Sequence, residues 1–309
     1  MSKKIEKTIF DFEPNTKILV TCGNSKLGGR VIEYLLKKNV PAKNISTTVR
    51  SLEKGEKWKS KGIEIKVADY KDKESLEKAF KGIDRIYMVS SVGEPNYPRA
   101  KQHLNVVEAA KKNNVKLVVY SSFLNCQNNT NPVADDHKYT EKILEESGLN
   151  YSFARNTSYI DCYGELFKYL NKKETNLLFN SFGSKKIALV LIRELGEAGA
   201  EILLKKEPKK IYELSGKSIS FIDIKNSMEK ITNKKIEIVD VNNEENIKKL
   251  EENGFGKFYC MMIKFMFDDY INGIYDVKSN DLEDLIGHEQ TSLEDEIKEV
   301  MNAPNYFPM

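Results

Sequence analysis

The stretch ILVTCGNSKLGGRVIEYLLKK, residues 18–38, constrains the fold of this chain more than any other segment. A short apolar run leads into a polar loop, and a segment with apolar residues at helical spacing follows. Strand, tight loop and helix in this order begin a mononucleotide-binding unit. Of the three glycines typical of such a loop only Gly28 is present, because Cys22 and Ser25 occupy the first two positions. The segment predicts the fold and leaves open whether the loop still holds a dinucleotide.

Strand and helix patterns alternate repeatedly between residues 17 and 156. The strands are predicted at 18–21, 45–49, 63–67, 85–89, 117–120 and 151–154, and the helices at 27–38, 52–60, 73–80, 103–113 and 136–147. Such alternation is typical of a parallel sheet with helices on both faces. We therefore predict an α/β fold, a Rossmann-type doubly wound parallel sheet with a smaller mixed α/β C-terminal region.

Three parts are predicted along the chain. Residues 1–16 form a polar N-terminal lead-in, and residues 17–156 form an NAD(P)-binding Rossmann domain. Residues 157–309 form a smaller region with the substrate pocket, packed on the carboxyl edge of the sheet. In this last part we expect strands at 211–214 and 236–239, with helices between and after them.

Composition and charge exclude several classes of function. The net charge is only +3, and basic and acidic residues alternate along the chain, which argues against nucleic-acid binding. The longest apolar run, 258–267, is too short to span a membrane and contains Lys264; we expect a buried helix or a homodimer contact. The N-terminus lacks the apolar segment of a secretory signal. The four cysteines lie far apart, which favours reduced thiols in a cytoplasmic protein and no metal site.

The loop after the first strand is the predicted diphosphate site. In a doubly wound sheet this loop lies at the ligand-binding edge, where backbone N–H groups and the positive end of the next helix favour anions. We expect Gly23 to supply flexibility, and Asn24 and Ser25 to add side-chain donors. The full set predicted to hold the cofactor here is Gly23, Asn24, Ser25, Lys26, Leu27 and Gly28. The alternative is a simple strand-to-helix turn.

The ends of the next strands predict the rest of the cofactor site. An NAD site usually places Asp or Glu about twenty residues after the loop, whereas this chain has Arg50 near that position. A guanidinium suits a 2′-phosphate, so we predict NADPH in preference to NADH; the alternative is a solvated surface charge. Asp69 and Tyr70 are expected to flank adenine. Ser90, Ser91 and Ser121 end further strands, at the level of the ribose and nicotinamide.

Several segments resemble the NmrA-like group of atypical short-chain dehydrogenases. They are LVTCGNSKLGG, STTVRSLEK, KVADYKDKESLEKAFKGIDRIYMVSS, HLNVVEAAKKNNVKLVVYSS, ADDHKYTEKILEESGLNYSFARN and YELSGKSISFIDI. The resemblance extends over about residues 17–303 and is greatest to quinone oxidoreductases of the type-2 kind.

This resemblance implies a reaction. Ordinary short-chain dehydrogenases carry a Tyr-x-x-x-Lys pair, and counting back from Thr140 places Val133 at the Tyr position and His137 at the Lys position. Val133 cannot transfer a proton, so alcohol–ketone chemistry is not expected. A quinone needs only hydride delivery, and its oxygens take protons from water. The resemblance therefore implies an NADPH-dependent reductase that transfers hydride directly to a quinone-like acceptor.

His137 is the candidate catalytic residue, with an orienting or proton-donor role. Its alternative is a structural histidine at a helix start, and His103 is interpreted as structural in the same way. The resemblance assigns Arg155 and Asn156 to the nicotinamide end of the cofactor site. The residues predicted to line the acceptor pocket are Phe123, His137, Tyr159 and Tyr163, with core packing as the alternative for each aromatic ring.

Two departures from the family pattern keep other functions open. The usual R-N-G-W-Y sequence is R-N-T-S-Y here, so Thr157 and Ser158 replace Gly and Trp and leave the acceptor undecided. The altered glycine loop is compatible with a non-catalytic dinucleotide sensor that acts through a protein partner, or with a relic fold that binds no dinucleotide. Whether Cys22 is reactive depends on its exposure.

Overall fold

The computed structural model describes residues 15–306 apart from 95, 130, 131, 173 and 182. The lead-in expected at 1–16 lies almost entirely outside the described residues. The chain divides into two compact units. The first comprises residues up to 123, 135–155 and 193–212, and the second comprises 124–134, 156–192 and 213–309.

Strands and helices alternate along the chain as far as residue 156. These elements are β1 (Ile18–Val20), α1 (Lys26–Lys37), β2 (Ile45–Val49), α2 (Glu56–Lys59), β3 (Glu64–Val67), α3 (Lys73–Ala79), β4 (Arg85–Met88), α4 (Arg99–Lys112), β5 (Leu117–Phe123), α5 (Pro132–Glu146) and β6 (Tyr151–Asn156). Side-chain caps start two of the helices, because Ser25 accepts from the Gly28 N–H and Asp72 accepts from the Ser75 N–H.

The later elements are short strands mixed with helices. They are β7 (Ser158–Tyr159), α6 (Gly164–Asn171), β8 (Leu177–Asn180), β9 (Ile187–Val190), α7 (Ile192–Leu204), β10 (Ile211–Leu214), β11 (Ser218–Ile219), α8 (Phe221–Thr232), β12 (Glu237–Asp240), α9 (Asn243–Glu252), α10 (Lys257–Ile271), α11 (Asp281–Ile286) and α12 (Leu293–Asn302). In the second unit β9 joins β11 and β7 in a small sheet, and β12 pairs with β8.

The central sheet confirms the predicted Rossmann-type fold. Seven strands lie in the order β10-β6-β5-β4-β1-β2-β3 and run parallel, with Ile18 opposite Ile45 on one side and Arg85 on the other. Strand β1 is completely buried, which explains its continuous apolar run. Because the strands run in one direction, the loops that follow β1 to β5 gather at one edge.

Segment 193–212, expected in the C-terminal region, belongs to the first unit instead. Helix α7 packs closely in that unit, because a Cβ on Gly199 would lie 2.6 Å from the Tyr87 ring. Strand β10 then adds to the sheet beside β6. This pairing joins segments about sixty residues apart, so no local pattern signals it.

Two helices begin four residues earlier than predicted. Helix α4 starts at Arg99 and α5 at Pro132, and both starts coincide with a proline, Pro98 as the cap of α4 and Pro132 as the first residue of α5. His103 and His137 therefore lie more than one turn inside their helices, and neither is at a helix start.

The apolar run 258–267 lies within α10, so the expected helix is present, and it is buried only in part. Tyr259, Cys260 and Ile263 are buried, whereas Phe258 and Met261 are about half exposed. In the part of the chain that the structure describes, no helix has both the length and the apolar character needed to cross a membrane.

Candidate functional site

A cleft of about 500 Å³ lies in the first unit, among the loops that follow β1, β2, β3 and β4. The predicted cofactor residues that line it are Asn24, Ser25, Arg50, Asp69, Tyr70, Ser90 and Ser91. The cleft is therefore at the carboxyl edge of the sheet, where ligands bind in doubly wound folds.

The loop after β1 retains features that suit a diphosphate. A Cβ on Gly28 would lie 2.6 Å from the Cys22 carbonyl oxygen, so glycine permits the close approach of loop and helix. Ser25 Oγ caps the Gly28 N–H at 3.1 Å. Within the described chain the N–H groups of Asn24 and Leu27 have no acceptor, which leaves them for an anion. Lys26 is exposed at the helix start and Leu27 is buried.

The left-handed residue of the loop is Cys22, with φ 52°, and not Gly23. Gly23 has a packing role instead, since a Cβ there would lie 2.1 Å from Thr47 Oγ1. The Gly23 carbonyl accepts a 2.8 Å hydrogen bond from Nε1 of the buried Trp58. A left-handed conformation costs a non-glycine residue about 1–2 kcal/mol. The loop thus keeps its shape at the expense of backbone strain at Cys22. The sequence analysis did not identify Trp58 as a support of this loop, although a single tryptophan in a charged segment was a signal of burial.

We expect the Cys22 thiol to be unreactive. Burial raises its pKa from 9.0 to about 11, so roughly 100-fold less thiolate is present at neutral pH than for an ordinary thiol. Native protein treated with iodoacetamide at pH 7.5 should alkylate Cys22 about 100-fold more slowly than urea-unfolded protein, as followed by peptide mass spectrometry. Equal rates in the two states would contradict this assignment.

The three residues predicted to contact the adenosine end of the cofactor, Arg50, Asp69 and Tyr70, differ in exposure and in hydrogen bonding. Arg50 is exposed after β2, and among the described residues it has no ion pair or hydrogen-bond partner. Asp69 is half-buried and accepts from the Lys71 N–H at 2.8 Å. Tyr70 lines the cleft with a buried ring, and its hydroxyl lies 2.6 Å from Thr21 Oγ1 and 2.8 Å from the Val89 carbonyl oxygen. The Tyr70 hydroxyl is therefore bonded to residues that directly follow β1 and β4.

The turn after β4 is bonded to its surroundings through both serines. The Ser90 N–H donates to Oγ of the buried Ser121 at 2.8 Å, and the Ser91 N–H donates to Nε2 of His103 at 3.0 Å. His103 is completely buried and touches the turn that lines the cleft. Sequence reasoning gave His103 a structural role only, because no local pattern shows its contact with Ser91.

His137 is buried and held on three sides. Arg99 NH1 lies 3.2 Å from its Nε2, the Tyr120 hydroxyl lies 2.7 Å from its Nδ1, and the Phe123 ring stacks on it at 5.3 Å. A guanidinium only donates, so Nε2 accepts and Nδ1 carries the proton. Burial, with the Arg99 charge, lowers the pKa of His137 well below its usual value. The imidazole is neutral near pH 7, which favours the orienting role over the proton-donor role.

Arg155 is not placed as a cofactor contact. Its Nε and NH2 donate to the two carboxylate oxygens of Glu141 at 2.9 and 2.6 Å, and both side chains are buried. Ser122 Oγ donates to the same carboxylate at 2.6 Å. The Arg155 guanidinium is therefore part of a buried ion pair, and its assignment to the nicotinamide end stays a prediction.

The remaining predicted pocket residues belong to the second unit. Asn156 lies with Nδ2 3.4 Å from the Tyr159 hydroxyl, and its buried Oδ1 has no hydrogen bond within the described residues. Tyr163 is a core residue and not an open pocket wall, because its buried hydroxyl lies 2.5 Å from that of Tyr270. The two residues that depart from the family pattern are both hydrogen-bonded inside the protein. Thr157 Oγ1 donates to the Ala188 carbonyl oxygen, and Ser158 Oγ accepts from the Tyr270 hydroxyl.

Comparison with known proteins decides the family. A model of the NmrA-like family matches residues 14–301. The chain belongs to the NmrA-like family. This NmrA-like chain is 30% identical to quinone oxidoreductase 2 of Escherichia coli over 93% of its own length and all of the relative.

Solved structures give the same result for the fold of this NmrA-like protein. It matches Citrobacter sp. triphenylmethane reductase complexed with NADP(H) at a TM-score of 0.86 and 28% identity, covering 92% of this chain and 99% of the other. It matches the NADPH complex of the E. coli quinone oxidoreductase at 0.83 and 28%, covering 92% and 100%. No group of three His, Cys, Asp or Glu is placed to hold a metal in the described part of the chain.

Proposed function

We propose that this NmrA-like protein is an NADPH-dependent reductase of quinone-like acceptors. The cleft of about 500 Å³ carries the proposal, because within the described residues Arg50 has no ion-pair partner there and the N–H groups of Asn24 and Leu27 have no acceptor. Two relatives support it, an NADPH-dependent quinone oxidoreductase and a triphenylmethane reductase complexed with NADP(H).

The residues of the chain bind and orient in this proposal. The N–H groups of Asn24 and Leu27 meet the diphosphate, and Arg50 meets the 2′-phosphate. Bound NADPH supplies the hydride for the acceptor. By the family resemblance Val133 takes the place of the tyrosine acid and cannot donate a proton, so in this proposal the quinone oxygens take their protons from water. Neutral His137, held by Arg99 and Tyr120, keeps a fixed orientation.

Titration of the purified protein with NADPH and NADH, followed by turnover with 1,4-benzoquinone, tests the proposal. We expect tight NADPH binding, weaker NADH binding, and NADPH oxidation that depends on the quinone. Tight NADPH binding without turnover on any quinone would support the non-catalytic sensor instead. Absence of binding by either nucleotide would reduce the protein to a relic fold.

Arg50→Gln should weaken NADPH binding by about 10- to 100-fold, because a charge-assisted hydrogen bond is worth about 1.5–3 kcal/mol. NADH lacks the 2′-phosphate, so its binding should change less than threefold. Dissociation constants from nucleotide fluorescence measure both effects. Lys54→Gln removes an equal charge from an exposed residue outside the cleft lining and serves as the control. Equal losses for the two nucleotides would contradict the role of Arg50.

A further inference from the structure

We propose that His103 is a positioning residue that turns Ser91 into a hydrogen-bond acceptor for a ligand hydroxyl. Nε2 of His103 lies 3.0 Å from the Ser91 backbone nitrogen and 3.2 Å from Ser91 Oγ. Ser91 is partly exposed and lines the cleft, whereas His103 is completely buried beneath it. The inference rests on the proposed function, because it concerns the ligand of the same cleft.

The contacts of His103 determine which of its nitrogens carries the proton. A backbone N–H can only donate, so Nε2 accepts from Ser91 and bears no proton. The proton is then on Nδ1, which lies 2.8 Å from Thr140 Oγ1 and donates to it. Thr140 in turn donates to the Asp136 carbonyl oxygen at 2.7 Å. In this series of hydrogen bonds every donor meets an acceptor. Only the neutral form of His103 with its proton on Nδ1 satisfies every bond in the series.

The direction of the Ser91 hydroxyl follows from this tautomer. At 3.2 Å from an unprotonated nitrogen, the hydroxyl places its own proton towards Nε2, since two facing lone pairs would repel, and Nε2 is then an acceptor shared by the Ser91 N–H and the Ser91 hydroxyl. Its lone pairs are then left for the cleft. A ligand hydroxyl, such as one on a ribose, can donate to them. A ligand carbonyl has no proton to donate and gains nothing there.

The same network links the cleft to the helix that carries His137. Thr140 lies three residues after His137 on α5, and Ser91 lies on the turn after β4. His103 on α4 bonds to both. It therefore fixes the turn that lines the cleft relative to α5. His103 acts on a ligand only through Ser91, so its role is that of a positioning residue.

The tautomer can be tested directly by nitrogen NMR on the whole protein without ligand. We expect an unprotonated, pyridine-type Nε2 for His103 and a slowly exchanging Ser91 amide. A protonated Nε2 or a rapidly exchanging amide would overturn the inference, and neither measurement depends on whether NADPH binds.

NADPH binding by variants tests whether His103 and Ser91 act together on the ligand. We expect Ser91→Ala and His103→Leu each to weaken NADPH about 5- to 10-fold, since each removes one hydrogen bond. The double variant should be no weaker than His103→Leu alone, and His103→Gln should retain near-normal binding because its amide both accepts and donates. His288→Leu, at an exposed histidine, is the control. Additive losses, or failure of His103→Gln to rescue, would overturn the inference. If the unaltered protein did not bind NADPH, the proposed function would be refuted instead.

Discussion

Arg155→Leu is expected to lower the free energy of unfolding by about 3–5 kcal/mol. The Arg155 guanidinium and the Glu141 carboxylate form a two-bond ion pair in which Glu141 is 1% exposed. Removing one partner leaves the other charge buried without compensation, and that uncompensated charge is the source of the cost. Urea unfolding of the variant and the parent protein measures the difference.

Two further variants separate this ion pair from other roles of Arg155. The double variant Arg155→Leu with Glu141→Leu should regain much of the lost stability, because no buried charge remains. Lys142→Met, on the same helix, breaks only an exposed pair with Glu146 and should change stability by less than about 0.5 kcal/mol. If Arg155→Leu left stability unchanged and abolished NADPH binding, the cofactor role expected from the family pattern would be restored.

Acidification from pH 7.5 to pH 5 is expected to remove about 2 kcal/mol of stability through His103 alone. Burial, with the Arg99 charge, lowers the pKa of folded His103 to about 3, whereas an unfolded histidine has a pKa of about 6.5. At pH 5 the unfolded chain binds a proton that the folded chain does not. The loss therefore begins near pH 6.5 and continues as the pH falls towards 3. His137 adds a loss of the same sign.

Urea unfolding at pH 7.5, 6 and 5 measures this dependence. Carboxylates have unfolded pKa values near 4, so they contribute little in this range and the histidines dominate it. His103→Gln should flatten the slope by about 1 kcal/mol per pH unit below pH 6, while His288→Gln should leave it unchanged. A parent protein whose stability is constant over this range would show that the two buried histidines are not held neutral.

The acid result also bears on the cleft. Protonation would give Nε2 of His103 a proton that faces the Ser91 N–H, so two donors would meet with no acceptor between them. The turn after β4 would then lose its anchor on α4. Stability and the geometry of the cleft turn are therefore coupled through one imidazole.

Local sequence patterns predicted the parts of the site that local chemistry controls. The spacing from β1 to Gly28 predicted a tight loop and a following helix, because capping by Ser25 and close packing at Gly28 act over a few residues. The alternation of strands and helices predicted the parallel sheet for the same reason. The position of Arg50 at the end of β2 follows from that periodicity alone.

Partners on other helices, strands and turns decided what individual side chains do. Arg155 meets Glu141 on a helix, His103 meets Ser91 on a turn, and Tyr163 meets a tyrosine 107 residues away. A residue type at a strand end does not reveal whether a buried group already satisfies it. For this reason the sequence did not show that the Tyr70 hydroxyl, the Arg155 guanidinium and the Tyr163 hydroxyl are hydrogen-bonded inside the protein.

By itself the sequence determined that this chain forms a doubly wound parallel sheet with a tight loop and a capped helix after its first strand, because periodicity, capping and close packing act between near neighbours. Only the tertiary structure decided which polar groups remain available to a ligand. Buried donors and acceptors must be paired, and their partners lie on other elements, which only the packing of those elements brings into contact.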